Sequence, residues 1–136
     1  FGLSWAFTRM PATWFRPRSV LFRAWPGESA DLYERVFRVK SWKHLLPDAA
    51  GWFGGFAKRS LRGRDPGYLR LFRVETCRGE AAHWAQCLVI SGFAVWTPWP
   101  WALVLPVYGA VSNLPCILLQ RHNRLRLGKV LGSDGF

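Results

Sequence analysis

The chain has 136 residues and a mass of 15.6 kDa, which is enough for one domain. Half of the residues are hydrophobic and the mean hydropathy is +0.01, which excludes an intrinsically disordered chain. Nineteen Lys and Arg residues against eight Asp and Glu residues give a net charge of +11. This balance suits nucleic acid or an anionic membrane surface, and the positions of the charges decide between them.

The N-terminal residues are apolar and end at a basic, proline-containing boundary. We interpret residues 1–10 as the end of a membrane span that begins upstream of Phe1, and Thr8-Arg9-Met10-Pro11 as its boundary. Residues 11–80 then form a cytoplasmic and interfacial region.

Within this region, one segment has the apolar spacing of an amphipathic helix. In Ala30–Leu46, apolar residues recur three and four positions apart, and Arg and Lys occupy the other positions. A helix with a basic face opposite aromatic side chains is typical of the lipid headgroup layer. We expect Asp31 to be the N-cap and Pro47-Asp48 to end the helix.

Glycine and proline mark the next boundary. The five glycines of Gly51–Gly67 predict a loop, and Asp65-Pro66-Gly67 predicts a turn at its end. Tyr68–Glu80 is expected to be helical and to continue directly into the apolar segment that follows.

A run of 40 residues, Ala81–Gln120, contains no Asp, Glu, Lys or Arg. A membrane-spanning helix needs about 20 apolar residues, so this run accommodates two spans. The prolines of Thr97–Pro100 separate them, which predicts a hairpin of spans Ala81–Thr97 and Trp101–Gln120. The alternative is a soluble fold with an apolar helical hairpin as its core.

Basic residues flank this hairpin on both sides. They are Lys58, Arg59, Arg62, Arg64, Arg70, Arg73 and Arg78 before it, and Arg121, Arg124, Arg126 and Lys129 after it. The positive-inside rule places both flanks, including the basic tail 121–136, in the cytoplasm. The sequence therefore predicts an all-α integral protein of the cell membrane, multi-pass, with membrane lipids as partners and no nucleic acid.

One cluster of ionisable residues lies where the polar region enters the predicted membrane. On a helix, Glu80 and His83 are three residues apart, as are Glu75 and Arg78. A carboxylate beside an imidazole can fix its tautomer, so we take His83, Glu80 and Glu75 as candidate catalytic residues. The alternative is an ordinary ion pair beside an interfacial histidine.

The cysteines give a further alternative at this position. Cys77, His83 and Cys87 are close in sequence, but their spacing is not that of a standard zinc site. No metal site is therefore predicted, and three cysteines near the cytoplasmic side predict no disulfide framework.

A second polar cluster follows the second span. Asn113 lies within the span and requires a hydrogen-bond partner, which we expect on another helix. Arg121 and Arg124 emerge at the interface, where they can bind phosphates of a coenzyme or of lipid headgroups; simple lipid anchoring is the alternative.

These two clusters resemble the glycosyl-4,4′-diaponeurosporenoate acyltransferase family of carotenoid-glycolipid (staphyloxanthin-type) synthesis. The resemblance lies in Glu-Thr-x-Arg-x-Glu-x-x-His-Trp at Glu75–Trp84 and in Asn-Leu-Pro-x-Ile-x-x-Gln-Arg-x-Asn-Arg-x-Arg-Leu at Asn113–Leu127. Arg38–His44 and the boundary at Thr8–Pro11 are similar as well. His122 and Leu125 depart from the pattern, where tyrosine and proline are expected, and Gly51–Gly67 matches poorly.

The resemblance implies transfer of a fatty acyl group, with acyl-CoA as co-substrate and no bound cofactor, to a sugar hydroxyl of a carotenoid glycoside. His83 would then be the general base, oriented by Glu80 or Glu75. Three arginines and two asparagines would bind substrate or phosphate: Arg78, Arg121, Arg124, Asn113 and Asn123. The alternative function is a non-catalytic small subunit of a larger membrane complex, such as a pigment-binding photosynthetic one.

Overall fold

The computed structural model describes residues 2–46 and 65–132, and these residues contain helices and no strand. The helices are α1 (Gly2–Arg9), α2 (Ala30–Phe37), α3 (Val39–Trp42), α4 (Pro66–Gly92) and α5 (Trp101–Val130). Short 3₁₀ turns occupy Ala12–Trp14, Lys43–Leu45 and Phe93–Trp96. The expected all-helical fold is thus confirmed for the described part of the chain.

Helix α4 begins where the sequence predicts a turn. The Asp65 side chain caps the helix by accepting a hydrogen bond from the Tyr68 amide at 3.1 Å, and Pro66 occupies the first helical position. Proline is favoured there because it lacks the N–H that a helix start leaves unpaired. Pro66 and Gly67 are therefore helical, and residues 51–64 of the predicted loop lie outside the described residues. The helix continues without a break through residues 68–80, as expected.

The two long helices form the predicted hairpin, with different bounds. Helix α4 ends at Gly92, followed by the 3₁₀ turn Phe93–Trp96, so the first arm is shorter than the predicted 81–97. Helix α5 passes Gln120 and ends at Val130, with Pro106 and Pro115 inside it. The basic residues after Gln120 do not end the helix because several of their side chains are buried against the rest of the molecule.

The two arms approach closely at Gly109. A Cβ atom at this position would lie 3.4 Å from the Ile90 side chain and 3.6 Å from the Cys87 carbonyl oxygen. The Cys87 thiol in turn donates to the Gly109 carbonyl at 3.3 Å. The absence of a side chain at Gly109 therefore sets the separation of α4 and α5 beside the polar residues described below.

The predicted amphipathic helix is divided into two. Ser29, and not Asp31, caps α2, because its hydroxyl accepts from the Leu32 amide at 3.1 Å. Arg38 adopts the left-handed conformation (φ 49°, ψ 45°) and ends α2, so the prediction of one helix over residues 30–46 was wrong. The break directs Val39 into the core, where it is fully buried. The predicted stop at residues 47–48 lies outside the described residues.

Small apolar clusters fix the other segments on the hairpin. One joins α2 and α3 to the end of α5 through Ala30, Tyr33, Val39 and Leu125. A second joins the segment after α1 to α4 through Phe15, Phe22 and Cys77. A third joins the start of α4 to α5 through Leu69, Phe72 and Leu127. The buried core thus lies at the end of the hairpin where the polar motifs are.

The opposite end of the hairpin is apolar and exposed. Its exposed side chains include Leu88, Val95, Trp96, Trp99, Trp101, Val104, Val107, Tyr108 and Val111. Within the described residues, α5 is the one helix long and apolar enough to cross a membrane, and 17% of its most apolar window is buried. The uncharged part of α4, Ala81–Gly92, would extend about 18 Å, which is short for a span by itself.

Candidate active site

Glu80 lies at the centre of the buried polar region. Its side chain is fully buried on α4, and one oxygen, Oε1, accepts a hydrogen bond from Arg121 Nη1 at 3.0 Å. The other oxygen, Oε2, forms an ion pair with Arg124 Nη1 at 2.6 Å. The two groups are not aligned as a hydrogen bond requires. A buried carboxylate is costly without compensating charge, and these two arginines of α5 provide that charge beside Glu80.

A second carboxylate completes this arrangement from the loop before α2. Glu28 accepts from Arg121 Nε at 2.8 Å and from Arg121 Nη2 at 3.1 Å, which is the bidentate geometry of a strong pair. It also accepts from the Tyr33 hydroxyl at 2.6 Å and the Trp25 amide at 2.8 Å. Burial by itself would raise the pKa of Glu28, but these hydrogen bonds and the Arg121 charge lower it overall.

We call Glu28, Glu80, Arg121 and Arg124 the ion-pair cluster. Its formal charges cancel, and the Arg121 guanidinium also lies over the Trp25 ring, 5.1 Å from its centroid. Arg121 and Arg124 are therefore buried and paired with carboxylates, and not directed at a phosphate-rich surface as expected for lipid anchors. Their role as phosphate ligands stays a prediction, while the geometry shows that they connect α4, α5 and the loop before α2.

The other predicted carboxylate pair ties the N-terminal segment to α4. Glu75 and Arg78 form the predicted pair three residues apart, with Oε1 and Nη1 separated by 2.6 Å. Arg78 Nη2 also donates to the Met10 carbonyl at 3.1 Å, and its guanidinium lies over the Phe15 ring. Arg78 therefore holds the segment that follows α1, with Glu75 as its ion-pair partner, and a part for Glu75 in catalysis remains a prediction.

His83 is hydrogen-bonded to Asn113, on the facing helix. His83 Nδ1 and Asn113 Oδ1 are 2.9 Å apart, so Asn113 has its expected partner on another helix. Asn113 is buried, while His83, one turn after Glu80, is half-buried. Glu80 and His83 thus lie on the same helix, and the side chain that meets Nδ1 of the imidazole is an amide.

The neighbours of Asn113 define which way its amide points. Asn113 Nδ2 donates to the Gly109 carbonyl at 2.9 Å, one helical turn earlier. A carbonyl oxygen only accepts, so the amide NH₂ must face it and the amide oxygen must face His83. That oxygen accepts, so Nδ1 of His83 carries the proton in this network. The lone pair of the neutral imidazole is then on Nε2, as a general base requires.

Two further features considered in the sequence are Asn123 and the cysteines near the site. Asn123 is half-buried on α5, and its side chain forms no hydrogen bond with the residues that the structure describes. Burial raises the pKa of the Cys77 thiol to about 11, so it is protonated at neutral pH and unsuited as a nucleophile or metal ligand. Among residues 2–46 and 65–132, no three His, Cys, Asp or Glu side chains are grouped as a metal site.

Glu28 and Tyr33 are the site residues that the sequence did not reveal. Glu28 is 93 positions from Arg121, and nothing in the local pattern around it indicates a buried ion pair. One signal was present: with eight acidic residues against nineteen basic ones, a glutamate among aromatic residues is a plausible partner for a buried arginine.

Comparison with known proteins agrees with the resemblance of the motifs. The family model described as glycosyl-4,4′-diaponeurosporenoate acyltransferase matches residues 11–133. A protein of that name from Staphylococcus haemolyticus is 31% identical over 121 residues, which cover 88% of this chain and 70% of the relative. One from Staphylococcus aureus (strain bovine RF122) is 28% identical over 126 residues, covering 91% and 76%.

No solved structure matches the chain. The matched range includes both motifs, the ion-pair cluster and the His83–Asn113 pair. The chain therefore belongs to the glycosyl-4,4′-diaponeurosporenoate acyltransferase family.

Proposed function

We propose that this protein is a membrane acyltransferase that transfers a fatty acyl group from acyl-CoA to a sugar hydroxyl of a carotenoid glycoside. The family supports acyl transfer. The single observation that carries the chemistry is the His83–Asn113–Gly109 chain of hydrogen bonds, which places the proton of the neutral ring on Nδ1 and its lone pair on Nε2.

The reaction needs one base and one acid, and His83 serves as both in turn. Nε2 takes the proton of the sugar hydroxyl while its oxygen attacks the thioester carbonyl carbon. The carbon–sulfur bond then breaks, and the departing thiolate takes the proton back from the imidazolium. The products are the sugar ester and free coenzyme A, and no other reactant is needed. Asn113 acts through His83, as a positioning residue.

The ion-pair cluster has a separate part in this proposal. Arg121 and Arg124 are each held by a buried carboxylate, so neither is available for a substrate phosphate without breaking an ion pair. They hold α5 against α4 and the loop before α2, and so fix the distance between His83 and Asn113. Glu80, which the sequence suggested as a partner of His83, thus supports the site from one helical turn away.

The exposed apolar end of the hairpin supports a membrane location. A soluble protein would bury the apolar window of α5, whereas most of it is exposed here. We place this end in the bilayer of the cell membrane and the basic ends of α4 and α5 at the cytoplasmic face. His83 and Asn113 then lie near the boundary, where an apolar polyene and acyl chain remain in lipid and a sugar reaches the base.

The test is product formation by the full chain in lipid vesicles. Purified protein is incubated with a glycosylated carotenoid and radiolabelled palmitoyl-CoA, and esters are identified by mass spectrometry. We expect labelled sugar ester and an equal amount of free coenzyme A. Absence of ester in the presence of folded protein would reject the enzyme and favour the non-catalytic subunit.

A further inference from the structure

A basic cavity lies at the end of α5, and no residue of the ion-pair cluster belongs to its lining. It has a volume of about 190 Å³, several times the roughly 30 Å³ that one water molecule occupies in the liquid. Its lining comes from the first turn of α2, from α3 and from the last turns of α5: Ala30, Asp31, Lys40, His122, Arg126, Lys129 and Val130. These segments are brought together by the packing of α2 and α3 on α5.

The charges of the lining favour an anion. Lys40, Arg126 and Lys129 contribute three positive charges, and Asp31 contributes the single negative charge. Asp31 is already paired, since Lys129 Nζ lies 2.5 Å from its Oδ2. Lys40 and Arg126 form no ion pair with the residues that the structure describes, although the Glu34 carboxylate, outside the lining, accepts from the Lys40 amide. The lining itself therefore carries a net positive charge.

A second, independent observation is the state of His122. Its side chain is 1% exposed, it lines the cavity, and its Nδ1 has no hydrogen-bond partner in the described part of the chain. Buried polar atoms in folded proteins are nearly always hydrogen-bonded, so an unpaired one indicates a ligand or an ordered water. An oxyanion in the cavity supplies acceptor oxygens to a protonated ring nitrogen.

The start of α2 adds to the preference for an anion. The Ser29 side chain and carbonyl satisfy the amides of Leu32 and Tyr33. Ala30 and Asp31 line the cavity, and their amides belong to the first turn, where a helix has no internal acceptors. The positive end of the helix dipole lies at the same place.

We propose that this cavity binds a phosphate ester group. In the reaction this is the phosphate of the acyl-CoA donor, a refinement that rests on the proposed function. His122 follows Asn113 by nine residues on one helix, which is about 14 Å along its axis. The extended pantetheine arm of coenzyme A is long enough to connect a phosphate at the cavity with a thioester beside His83. An anionic lipid headgroup offers the same phosphate chemistry.

Binding distinguishes these sources without requiring catalysis. The full chain is placed in phosphatidylcholine nanodiscs, and the affinity for coenzyme A is compared with that for pantetheine, which has no phosphate. We expect clear preference for coenzyme A, with Arg126→Gln and Lys40→Gln each weakening it about tenfold. Arg35→Gln, which removes the same charge from α2 outside the cavity lining, should bind as the wild type does. Asp31→Asn should bind more tightly.

The lipid arm uses nanodiscs that contain phosphatidylglycerol. If this lipid competes with coenzyme A for the wild type, and the competition disappears in Arg126→Gln, the cavity binds lipid headgroups as well as the phosphate of the donor. If Arg126→Gln and Lys40→Gln bind coenzyme A and phosphatidylglycerol as the wild type does, the proposal is overturned. His83→Ala should lower ester formation by about 10²- to 10⁴-fold and retain coenzyme A binding, so failure of the cavity and failure of the proposed reaction give different results.

Discussion

The Glu80 carboxylate is fully buried and forms ion pairs with two arginines, and its removal tests whether the ion-pair cluster holds the fold. Glu80→Gln leaves Arg121 paired with Glu28 and leaves Arg124 without a carboxylate partner among the described residues. Breaking a buried pair by removing one charge costs about 3–5 kcal/mol, so we expect the free energy of unfolding in detergent to fall by about that much. Asp31→Asn, which breaks the exposed pair with Lys129, is the control and should change it little. Equal stability of both variants and the wild type would contradict this.

The ionisation of Glu28 should make the free energy of unfolding depend on pH in the acid range. Its pKa in the folded protein is lowered from the ordinary 4.5, so its stabilisation is complete above that value and is lost as the pH falls through the lower, folded-state pKa. Unfolding of the wild type and of Glu28→Gln is measured from neutral pH to about pH 3. The stability difference should be constant near neutrality and shrink below pH 4.5. A difference that stays constant throughout would contradict the lowered pKa.

At the scale of the elements, Gly109 controls how closely α4 and α5 pack. Gly109→Ala places its Cβ at ordinary contact distance from Ile90 and should be tolerated. Gly109→Val adds methyl groups where the helices already touch, so we expect it to destabilise the protein by about 1–3 kcal/mol. It should also lower acyl transfer, since the Gly109 carbonyl orients Asn113. Thermal unfolding and activity are measured on both; valine behaving as alanine does would refute this.

Element types followed from the sequence more reliably than element ends. The uncharged run and its prolines predicted the hairpin, because hydrophobicity and proline act locally. The break at Arg38 and the extension of α5 past Gln120 depend on tertiary packing: Val39 becomes buried, and buried arginines continue α5. No local pattern contains that information.

In the candidate site, too, local contacts could be predicted from the sequence and long-range contacts could not. The local pair Glu75–Arg78 was predictable from helical spacing, because three residues along a helix bring side chains together. The long-range partners were not: Glu80 is bound by Arg121, 41 residues away, and His83 by Asn113, 30 residues away. A sequence shows that Glu80 and His83 share a helix, but the facing helix decides which side chain each one meets.

On the scale of the whole molecule, the α4–α5 hairpin buries the polar side chains at one end and exposes apolar side chains at the other. A helical hairpin of a soluble protein would bury its apolar side chains and expose the polar ones. This arrangement predicts insertion of the apolar end into a bilayer. Val107→Arg, in the middle of the exposed apolar surface, should disfavour insertion by about 2.5–3.5 kcal/mol. Val130→Arg, equally exposed but at the basic end of α5, is the matched control.

The measurement is the fraction of chain that remains in membranes after alkaline extraction. We expect a clear loss for Val107→Arg and none for Val130→Arg. Complete release of the wild type, or identical retention of both variants, would contradict the membrane location.

The rate of acyl transfer by His83→Ala in lipid vesicles tests the central claim most directly. Gln86→Ala is the control: it lies three residues further along α4 and loses a hydrogen bond to Ser4, outside the His83–Asn113 pair. Removal of a general base should lower kcat by about 10²- to 10⁴-fold. Asn113→Leu should lower it by about 5- to 150-fold, as loss of one orienting hydrogen bond does, while Gln86→Ala stays near the wild type. A rate for folded His83→Ala within about twofold of the wild type would contradict the account.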